Sequence, residues 1–393
     1  MQESAVRWLT VGSRRLTITL YAIAVFLFWM ALYLYVPTLP TYAQGKSDNL
    51  ALVGVVLSMY GLWQAIIRLP LGIVADWLGW RKPFIVVGFV LAGLGAWTMG
   101  VAEGVNELIV GRAVTGLAAG TWVPLVVVFS SLFPPDEAVR ASTMLTLVGS
   151  VGRVLATGVT GSLNELGGYS LAFFLATGAA VLAILIVLPA RERRRSSQRP
   201  SVGGIRRLIS RPDVLLPSLL SAVNQYANYA VTYGFLPILA EQLGATDVTK
   251  SILVSMYIGV TTLGNLVAMS IVSRIGARRL VYLAFLLLSV GIGGAALAPS
   301  LALLLVAQFC IGLSSGVAYP VLMGLSIRYV ADAERTTAMG LHQAVYAIGM
   351  FAGPWLGGLL ADAIDIRPMF GVTAFFCLAL GLLVNRGLTS RTQ

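Results

Sequence analysis

Apolar runs long enough to cross a membrane recur along the whole chain, and no other feature constrains its fold as strongly. A helix that rises about 1.5 Å per residue needs about 20 apolar residues to span the hydrocarbon core of a bilayer. We expect such helices at 16–40, 50–75, 83–102, 106–130, 141–163, 169–189, 214–240, 249–273, 279–299, 301–327, 337–361 and 368–388. The sequence therefore predicts an all-α integral membrane protein with twelve transmembrane helices.

The composition excludes several other classes of protein. Only 11% of the 393 residues are charged and 58% are hydrophobic, whereas soluble proteins carry about 25% charged residues. The two cysteines, Cys310 and Cys377, lie in apolar runs, so no disulfide framework is expected. One histidine and no Cys/His cluster predict no metal and no cofactor. No nucleophile–base pair stands out, so we do not expect an enzyme.

Basic residues alternate between the loops. With the N-terminus placed in the cytoplasm, 21 of the 27 Lys and Arg residues fall in cytoplasmic segments. Only Lys46, Lys250 and Arg367 fall in outer loops, and the acidic residues divide 8 to 8. Cytoplasmic loops of membrane proteins are enriched in Lys and Arg. The net charge of +11 is thus explained without nucleic acid, and we expect a cell (inner) membrane location with both termini cytoplasmic.

The two halves of the chain repeat each other. A shift of about 196 residues carries Gly116, Gly120 and Pro124 onto Gly312, Gly316 and Pro320. We therefore predict a six-helix bundle at 1–190, a basic cytoplasmic linker at 191–213 and a second six-helix bundle at 214–393. Many transporters are built from such repeats, with substrate bound between them near the middle of the membrane.

Four segments contain glycines, prolines and charges in a family-like pattern: Pro37–Pro40, Gly72–Lys82, Gly111–Gly120 and Gly353–Gly358. By these segments the chain resembles the major facilitator superfamily (MFS) of secondary transporters, and its drug-exporter branch in particular. The resemblance extends over all twelve spans. It implies alternating access in a monomer, with a proton as the usual coupling ion. Span five lacks the proline that antiporters of this family typically carry there.

The loop after span two contains the predicted gating motif, whose residues are Gly72, Asp76, Gly79, Arg81 and Lys82. The family resemblance implies that this loop clamps the two halves together when the protein faces outward. The alternative is an exposed acid at Asp76 that contributes less than about 1 kcal/mol.

Small residues recur on spans four and eleven. They allow close helix packing, and the proline among them also removes a backbone donor and bends its helix. These residues could serve helix packing or form a hinge, and the sequence leaves both roles open. The set comprises Gly116, Gly120, Gly353, Pro354, Gly357 and Gly358.

Three arginines lie within the spans, and no acid lies at matching depth. An arginine at a helix centre costs at least about 2.5–3.5 kcal/mol, so it should face a cavity, carbonyls or an anion. We favour a cavity position for Arg153, with Arg68 as a further candidate. Arg112 contacts either substrate or backbone carbonyls. His342, beside Gln343, either carries the coupling proton or is merely hydrogen-bonded.

Span seven is unusually polar and aromatic for a membrane helix. Such a face is costly against lipid, so we expect it to line a central cavity, with interhelical hydrogen bonding as the alternative. The predicted lining set is Trp29 and Tyr33 from span one and Asn224, Gln225, Asn228, Tyr229, Thr232 and Tyr233 from span seven.

These features predict a proton-coupled secondary transporter of a small organic molecule. The unmatched arginines favour an anionic, zwitterionic or neutral amphipathic substrate. Two alternatives stay open: a polyspecific drug/proton antiporter for cations, and a membrane sensor that binds ligand without transporting it.

Overall fold

A computed structural model describes residues 11–134, 137–190, 192, 207–331 and 334–387. The regular structure of these residues is helical throughout. The N-terminal half contains α1 (Val11–Tyr33), α2 (Leu39–Gln44), α3 (Leu50–Leu78), α4 (Lys82–Gly100), α5 (Val105–Gly120), α6 (Trp122–Ser130) and α7 (Ala138–Val187). The C-terminal half contains α8 (Pro212–Ala230), a π-helical segment (Val231–Phe235), α9 (Leu236–Gln242), α10 (Asp247–Ile275), α11 (Ala277–Leu297), α12 (Leu301–Ile327), α13 (Arg335–Ile364) and α14 (Ile366–Gly387).

The number of helices that could cross the membrane can be compared with the twelve predicted passes. Ten helices of the described chain are long and apolar enough to cross a membrane. One of them, α7, consists of two arms joined by a kink at Gly167 and Gly168, where Gly168 has a φ of 68°. That left-handed conformation favours glycine. The twelve passes expected from the sequence would follow if the two arms of α7 and the Pro212–Gln242 run each crossed the membrane.

Spans one, four and seven were predicted as continuous helices, and this detail was wrong. The first helix ends at Tyr33, and the chain turns before α2 begins with Pro40 in its first turn. Span four breaks at Thr121. In span seven five residues adopt a π-helix, and Pro237 lies in the first turn of α9. Because proline has no N–H to donate, it interrupts the helical hydrogen-bond ladder and is tolerated where a new helix begins.

Local signals set several helix ends. The Asn49 side chain accepts a hydrogen bond of 2.8 Å from the Leu52 N–H and so caps α3. At the other end of α3, Gly79 has a φ of 63° and accommodates the left-handed turn toward α4. Both helix ends therefore follow from residue types that are readable in the sequence.

The predicted internal repeat is confirmed in three dimensions. A methyl group at Gly116 would lie 2.7 Å from the backbone oxygen of Tyr60, and one at Gly312 would lie 3.1 Å from that of Tyr257. Each half thus brings its fourth pass against its second at a glycine. The predicted linker at 191–213 lies outside the described residues except for Glu192 and 207–213.

The outer surface of the bundle is apolar. Leu94, Val110 and Leu263 are each more than half exposed on three different helices. Exposed aliphatic side chains on this scale are typical of a surface that contacts lipid or another apolar partner.

Candidate functional site

A cavity of about 270 Å³ lies between the two halves. Helices α1, α3, α6 and α7 form one side, and α8, the π segment, α10, α12 and α13 form the other. Its wall is made of Trp29, Tyr33, Tyr60, Gln64, Arg68, Trp122, Thr146, Ser150, Arg153, Ser221, Asn224, Gln225, Asn228, Tyr229, Tyr233, Tyr257, Ile258, Thr261, Thr262, Asn265, Ser315, Tyr319, Leu322, Tyr346 and Met350. The cavity lies where a duplicated bundle is expected to bind substrate.

Aromatic rings dominate the wall and meet across the two halves. The rings of Tyr33 and Tyr233 contact edge to face at 6.3 Å, and those of Tyr60 and Tyr229 stack at 6.4 Å. Tyr233 also contacts Tyr257 at 5.5 Å. These rings offer flat apolar surfaces with polar edges, which suits an amphipathic ligand.

Arg153 lies in the cavity wall and is half-buried. Its guanidinium carbon lies 4.7 Å from the ring centre of Trp29 and 5.8 Å from that of Tyr33. Nη2 donates a hydrogen bond of 3.0 Å to Ser150 Oγ. Aromatic faces and a hydroxyl thus hold the cation in place of a carboxylate. Among the described wall residues, the charged side chains are two arginines and no acid.

Arg68 is the second arginine of the wall, and it is buried. Its Nη1 donates a 2.6 Å hydrogen bond to the hydroxyl of Tyr346 in the other half. Its guanidinium carbon also lies 5.3 Å from the centre of the Tyr346 ring. Arg68 is therefore engaged in a contact between the halves, whereas Arg153 is the more open cation.

Arg112 and Thr232 are two of the predicted site residues that lie outside the cavity wall. Arg112 is buried and lies over the ring of Tyr60 at 4.4 Å, so it packs behind the wall. Thr232 bonds Gln308 at 3.2 Å. The prediction for Thr232 assumed that the α-helical period continues through span seven. Thr232 instead belongs to the π segment, whose wider turn rotates its side chain away from the face that carries Asn224 and Asn228. The expectation that it lines the cavity was therefore wrong.

The other residues predicted for the polar face of span seven lie in the wall. Asn228 Nδ2 donates to Asn224 Oδ1 at 2.9 Å, and Ser315 Oγ donates to Asn228 Oδ1 at 2.9 Å. Both readings of this face therefore apply, because its asparagines line the cavity and also bond α8 to α12.

His342 is fully buried between α13 and α8. Its Nδ1 lies 3.1 Å from Ser218 Oγ, and its Nε2 lies 3.1 Å from Ser221 Oγ. Ser221 belongs to the cavity wall, so the imidazole is one hydroxyl away from the cavity. Gln343 is not among the wall residues, and its Oε1 is buried without a hydrogen-bond partner among the residues that the structure describes.

The predicted gating loop contacts its own half. The backbone N–H groups of Arg81 and Lys82 donate to the Glu192 carboxylate at 2.9 and 2.7 Å. Lys82 Nζ also donates to the carbonyl oxygens of Leu188 and Ala190, both at 2.6 Å. An acid at a helix N-terminus is favourable, so Glu192 stabilises the start of α4. The side chain of Asp76 lies outside the described residues.

The predicted small residues lie at helix contacts. A methyl group at Gly358 would lie 2.8 Å from Gly54 Cα in the other half, and one at Gly353 would meet the backbone of α8. Gly116 and Gly120 lie against α3, and Gly357 lies against Ala230 of α8. The carbonyl oxygen of Pro354 lies where a methyl group added to Gly54 would be placed. By contrast, a methyl at Gly72 would meet no atom within 4 Å.

Sequence reasoning missed a polar cluster at the predicted outer end. Lys250, counted as a loop residue, is buried in the first turn of α10 and contacts Asp247 at 2.6 Å and Glu241 at 2.5 Å. It also donates to Thr41 Oγ1 at 3.1 Å. The N-terminal half adds Asn164, whose Nδ2 donates to Asp247 at 2.8 Å. The signal available in the sequence was the acid–lysine spacing of three residues on one helix.

A duplicated helical bundle around a central polar and aromatic cavity defines a membrane transporter of the alternating-access class. The family model described as Major Facilitator Superfamily matches residues 21–227 and 218–391. The chain belongs to the major facilitator superfamily, as its motifs predicted. It is therefore a multi-pass secondary transporter and not an enzyme.

Of two curated relatives, one is named as an efflux pump and the other as a multidrug resistance protein. A chloramphenicol efflux pump of Mycobacterium tuberculosis (strain CDC 1551 / Oshkosh) is 26% identical over 362 residues, which cover 88% of this chain and 86% of that protein. Multidrug resistance protein 1 of Bacillus subtilis (strain 168) is 22% identical over 386 residues, which cover 94% and 96% of the two chains. These names support the drug-exporter branch.

Solved structures share the fold. A bacterial homologue of the human lysosomal transporter Spinster, in an inward-facing and occupied conformation, superposes with a TM-score of 0.82 at 15% identity. The match covers 96% of this chain and 98% of that one. The nucleoside transporter NupG gives a TM-score of 0.77 at 16% identity, covering 95% and 100%. At such identities the likeness shows the fold alone.

Proposed function

We propose that this chain, acting as a monomer, exports a neutral, zwitterionic or anionic amphipathic molecule by proton-coupled alternating access. The observation that carries the proposal is the charge of the cavity. Arg153 faces it half-buried, Arg68 lies deeper in the wall, and the described wall contains no carboxylate.

The electrostatics of the cavity favour this class of substrate. A cation would be desolvated beside two guanidinium groups without a carboxylate to compensate it. An acceptor group such as a carboxylate, nitro or carbonyl oxygen would instead gain hydrogen bonds from Arg153, and those of a carboxylate would be charge-assisted on both sides. The tyrosine and tryptophan rings would hold the apolar body of the same molecule.

The contacts between the halves suggest the direction in which the cavity opens. At the predicted outer end, Asn164 bonds Asp247, and Gly161 N–H donates to Ser251 Oγ at 2.7 Å. Toward the predicted cytoplasmic end the cavity wall includes Thr146, which is exposed. In the proposed cycle this is the inward-facing state, in which substrate enters from the cytoplasm.

The gating loop has a defined place in this cycle. Here the backbone N–H groups of Arg81 and Lys82 bond Glu192, just after the N-terminal bundle. In the outward-facing state we expect the loop to contact the C-terminal half, as the family resemblance implies. The two bundles predicted at 1–190 and 214–393 would be the bodies that move.

Reconstituted transport tests the proposal. The purified chain would be placed in proteoliposomes with an imposed pH gradient. Uptake or release would be measured for chloramphenicol (neutral), carboxyfluorescein (anionic) and ethidium (cationic). Loss of a charge-assisted hydrogen bond of about 1.5–3 kcal/mol in Arg153→Gln should reduce transport of the anionic probe about tenfold or more at low concentration. The control is Arg274→Gln, an exposed arginine at the end of α10.

A second candidate is a polyspecific drug/proton antiporter for cations. The similarity to the multidrug resistance protein of Bacillus subtilis supports a polyspecific role, and aromatic rings can hold cations. Gradient-driven ethidium transport that survives Arg153→Gln would establish this candidate and overturn the charge argument. Probe binding without flux in every gradient would identify a membrane sensor.

A further inference from the structure

We infer that His342 is the residue that takes up the coupling proton, and that the Ser221 hydroxyl connects it to the cavity. The inference rests on the proton coupling proposed above and names the group that carries it. It deepens that proposal because the family resemblance and the cavity wall assign the proton to no particular residue.

Few groups near the cavity can change charge at physiological pH. The titratable side chains of the described wall are arginines and tyrosines, which keep their ordinary charge near neutrality. Of the ordinary side chains, an imidazole in water is the one that changes its charge closest to neutral pH, and the sequence contains one histidine. That histidine lies directly behind the wall residue Ser221.

The hydrogen bonds around His342 assign its tautomer. Ser218 Oγ donates its hydrogen to the Val214 carbonyl at 2.7 Å, so it can only accept from His342 Nδ1. Nδ1 therefore carries a hydrogen. In the neutral ring Nε2 is then the acceptor, and it faces the Ser221 hydroxyl at 3.1 Å. The lone pair that can take a proton thus points toward the cavity wall.

The proton transfer balances without any other reactant. Ser221 Oγ accepts a proton from a hydronium ion or water chain in the cavity and passes its own hydrogen to Nε2. The products are an imidazolium at His342 and an unchanged hydroxyl at Ser221. Both hydrogens of the imidazolium are bonded, because Nδ1–H stays on Ser218 and Nε2–H donates to Ser221.

The surroundings connect this charge to the contact between the halves. On its own helix His342 faces Tyr346 with ring centres 6.3 Å apart, and Tyr319 of α12 packs against that same ring at 6.0 Å. From α3, Arg68 donates to the Tyr346 hydroxyl. From α8, the facing groups are the two serine hydroxyls. A proton on His342 would place a second cation beside Tyr346, which Arg68 also contacts, and the repulsion would act on a bond between the halves.

The hydrogen-bonded relay of Ser218, His342 and Ser221 lies entirely within one of the two bundles that move in the proposed cycle. Ser218 and Ser221 on α8 and His342 on α13 all belong to the C-terminal half. A rocking motion between the halves would leave their hydrogen bonds intact while the cavity beside Ser221 opens to one side and then the other. A proton taken up on one side could therefore be released on the other, which is what coupling requires.

A spectroscopic test reports the tautomer of His342 directly. Protein labelled with ¹⁵N-histidine and purified without a histidine tag gives signals from a single imidazole. At neutral pH we expect the neutral tautomer with hydrogen on Nδ1, and in Ser218→Ala we expect that preference to weaken. A ring with hydrogen on Nε2 would overturn the relay.

Transport variants test the role itself. His342→Asn keeps a donor near the Nδ1 position but takes up no proton. We expect it to lose pH-gradient-driven transport of chloramphenicol or carboxyfluorescein while keeping exchange of the same probe across the membrane without a gradient. Ser221→Ala should slow the driven component, and Ser221→Thr should restore it. The matched control is Ser289→Ala, a buried serine whose hydroxyl bonds only its own helix at Phe285.

The outcomes separate the two proposals. If the wild type moves probe but ignores the pH gradient, proton coupling fails and the role of His342 fails with it. If the wild type responds to the gradient and His342→Asn responds equally, the inference fails while the proposed function stands. Loss of both driven transport and exchange in His342→Asn would show a structural role and would also overturn the inference.

Discussion

The two halves meet along two equivalent seams, and these seams are closed by different chemistry. Along the first, α3 packs on α13 through small residues: Gly54 faces Gly358, and Gly61 lies against the backbone of Phe351. A methyl group at Gly54 would come within 2.9 Å of Gly358 Cα. This seam continues inward to the Arg68–Tyr346 hydrogen bond.

The second seam, between α7 and α10, is held by polar groups at the predicted outer end. Asn164 donates to Asp247, and Asp247 accepts from Lys250. Farther inward the same two helices separate, and their residues Ser150, Arg153 and Asn265 line the cavity.

The difference suggests that the two seams have different roles when the halves move. Glycine contacts depend on shape and are lost abruptly when the helices part, whereas hydrogen bonds and ion pairs can be exchanged for water one at a time. We expect the first seam to act as the tight pivot and the second as the side that opens. Three substitutions test this comparison with one readout, a thiol at Ile258→Cys in a Cys310→Ala, Cys377→Ala background. Ile258 is a buried wall residue, so an impermeant reagent added outside should reach it only when the outer end opens.

The largest effect is expected at the first seam. In Gly54→Val the new branched side chain would clash with the backbone of Pro354 and Gly358, which cannot move aside. Overpacking of this kind costs about 1–3 kcal/mol, and backbone clashes lie at the upper end. We predict loss of transport and strong labelling at position 258. Gly178→Ala is the control, because a methyl there meets no atom within 4 Å. Normal transport by Gly54→Val would contradict the pivot.

An intermediate effect is expected from the charge in the second seam. Lys250→Met leaves Asp247 without its cation, but Glu241 is half exposed and water screens it. We therefore expect a cost of about 1–2 kcal/mol to the closed state, or about tenfold faster labelling. Lys46→Met removes the same charge from an exposed residue at the same end and should leave labelling unchanged. Equal labelling of both variants would show that the cluster does not hold the outer end closed.

The smallest effect is expected from a neutral group in the same seam. Asn164→Ala removes hydrogen bonds to Thr38 at 3.0 Å and to Asp247 at 2.8 Å, while Asp247 keeps Lys250. The bond to Thr38 lies within the N-terminal half, and Lys250 still neutralises Asp247. We therefore expect the lost bond between the halves to cost about 1 kcal/mol, so labelling should rise only a few-fold. Asn106→Ala, at an exposed position near the same end, is the control. Labelling faster than in Lys250→Met would reverse the proposed ranking.

Several features could be predicted from the sequence because they depend on one helix at a time. A run of apolar residues has the same length wherever the helix lies, so the membrane class and the approximate spans follow directly. The repeat survives as glycines at matching positions, so Gly116 and Gly312 indicated equivalent packing before any contact was known. The family followed from short motifs of the same local kind.

Features that depend on how the helices are rotated and placed could not be predicted. The sequence favoured a cavity position for Arg153 but left that of Arg112 open, and only the structure shows that Arg112 packs behind Tyr60. A π turn moved Thr232 off the predicted face.

Likewise, Lys250 was counted as a loop charge because its described partner in the N-terminal half, Thr41, is 209 residues away in the chain. The sequence by itself determined the kind of protein, its helices and their duplication, since these follow from composition and period. Only the tertiary structure decided which polar groups meet, because contacts between the halves depend on the relative placement of two bundles that no local pattern encodes.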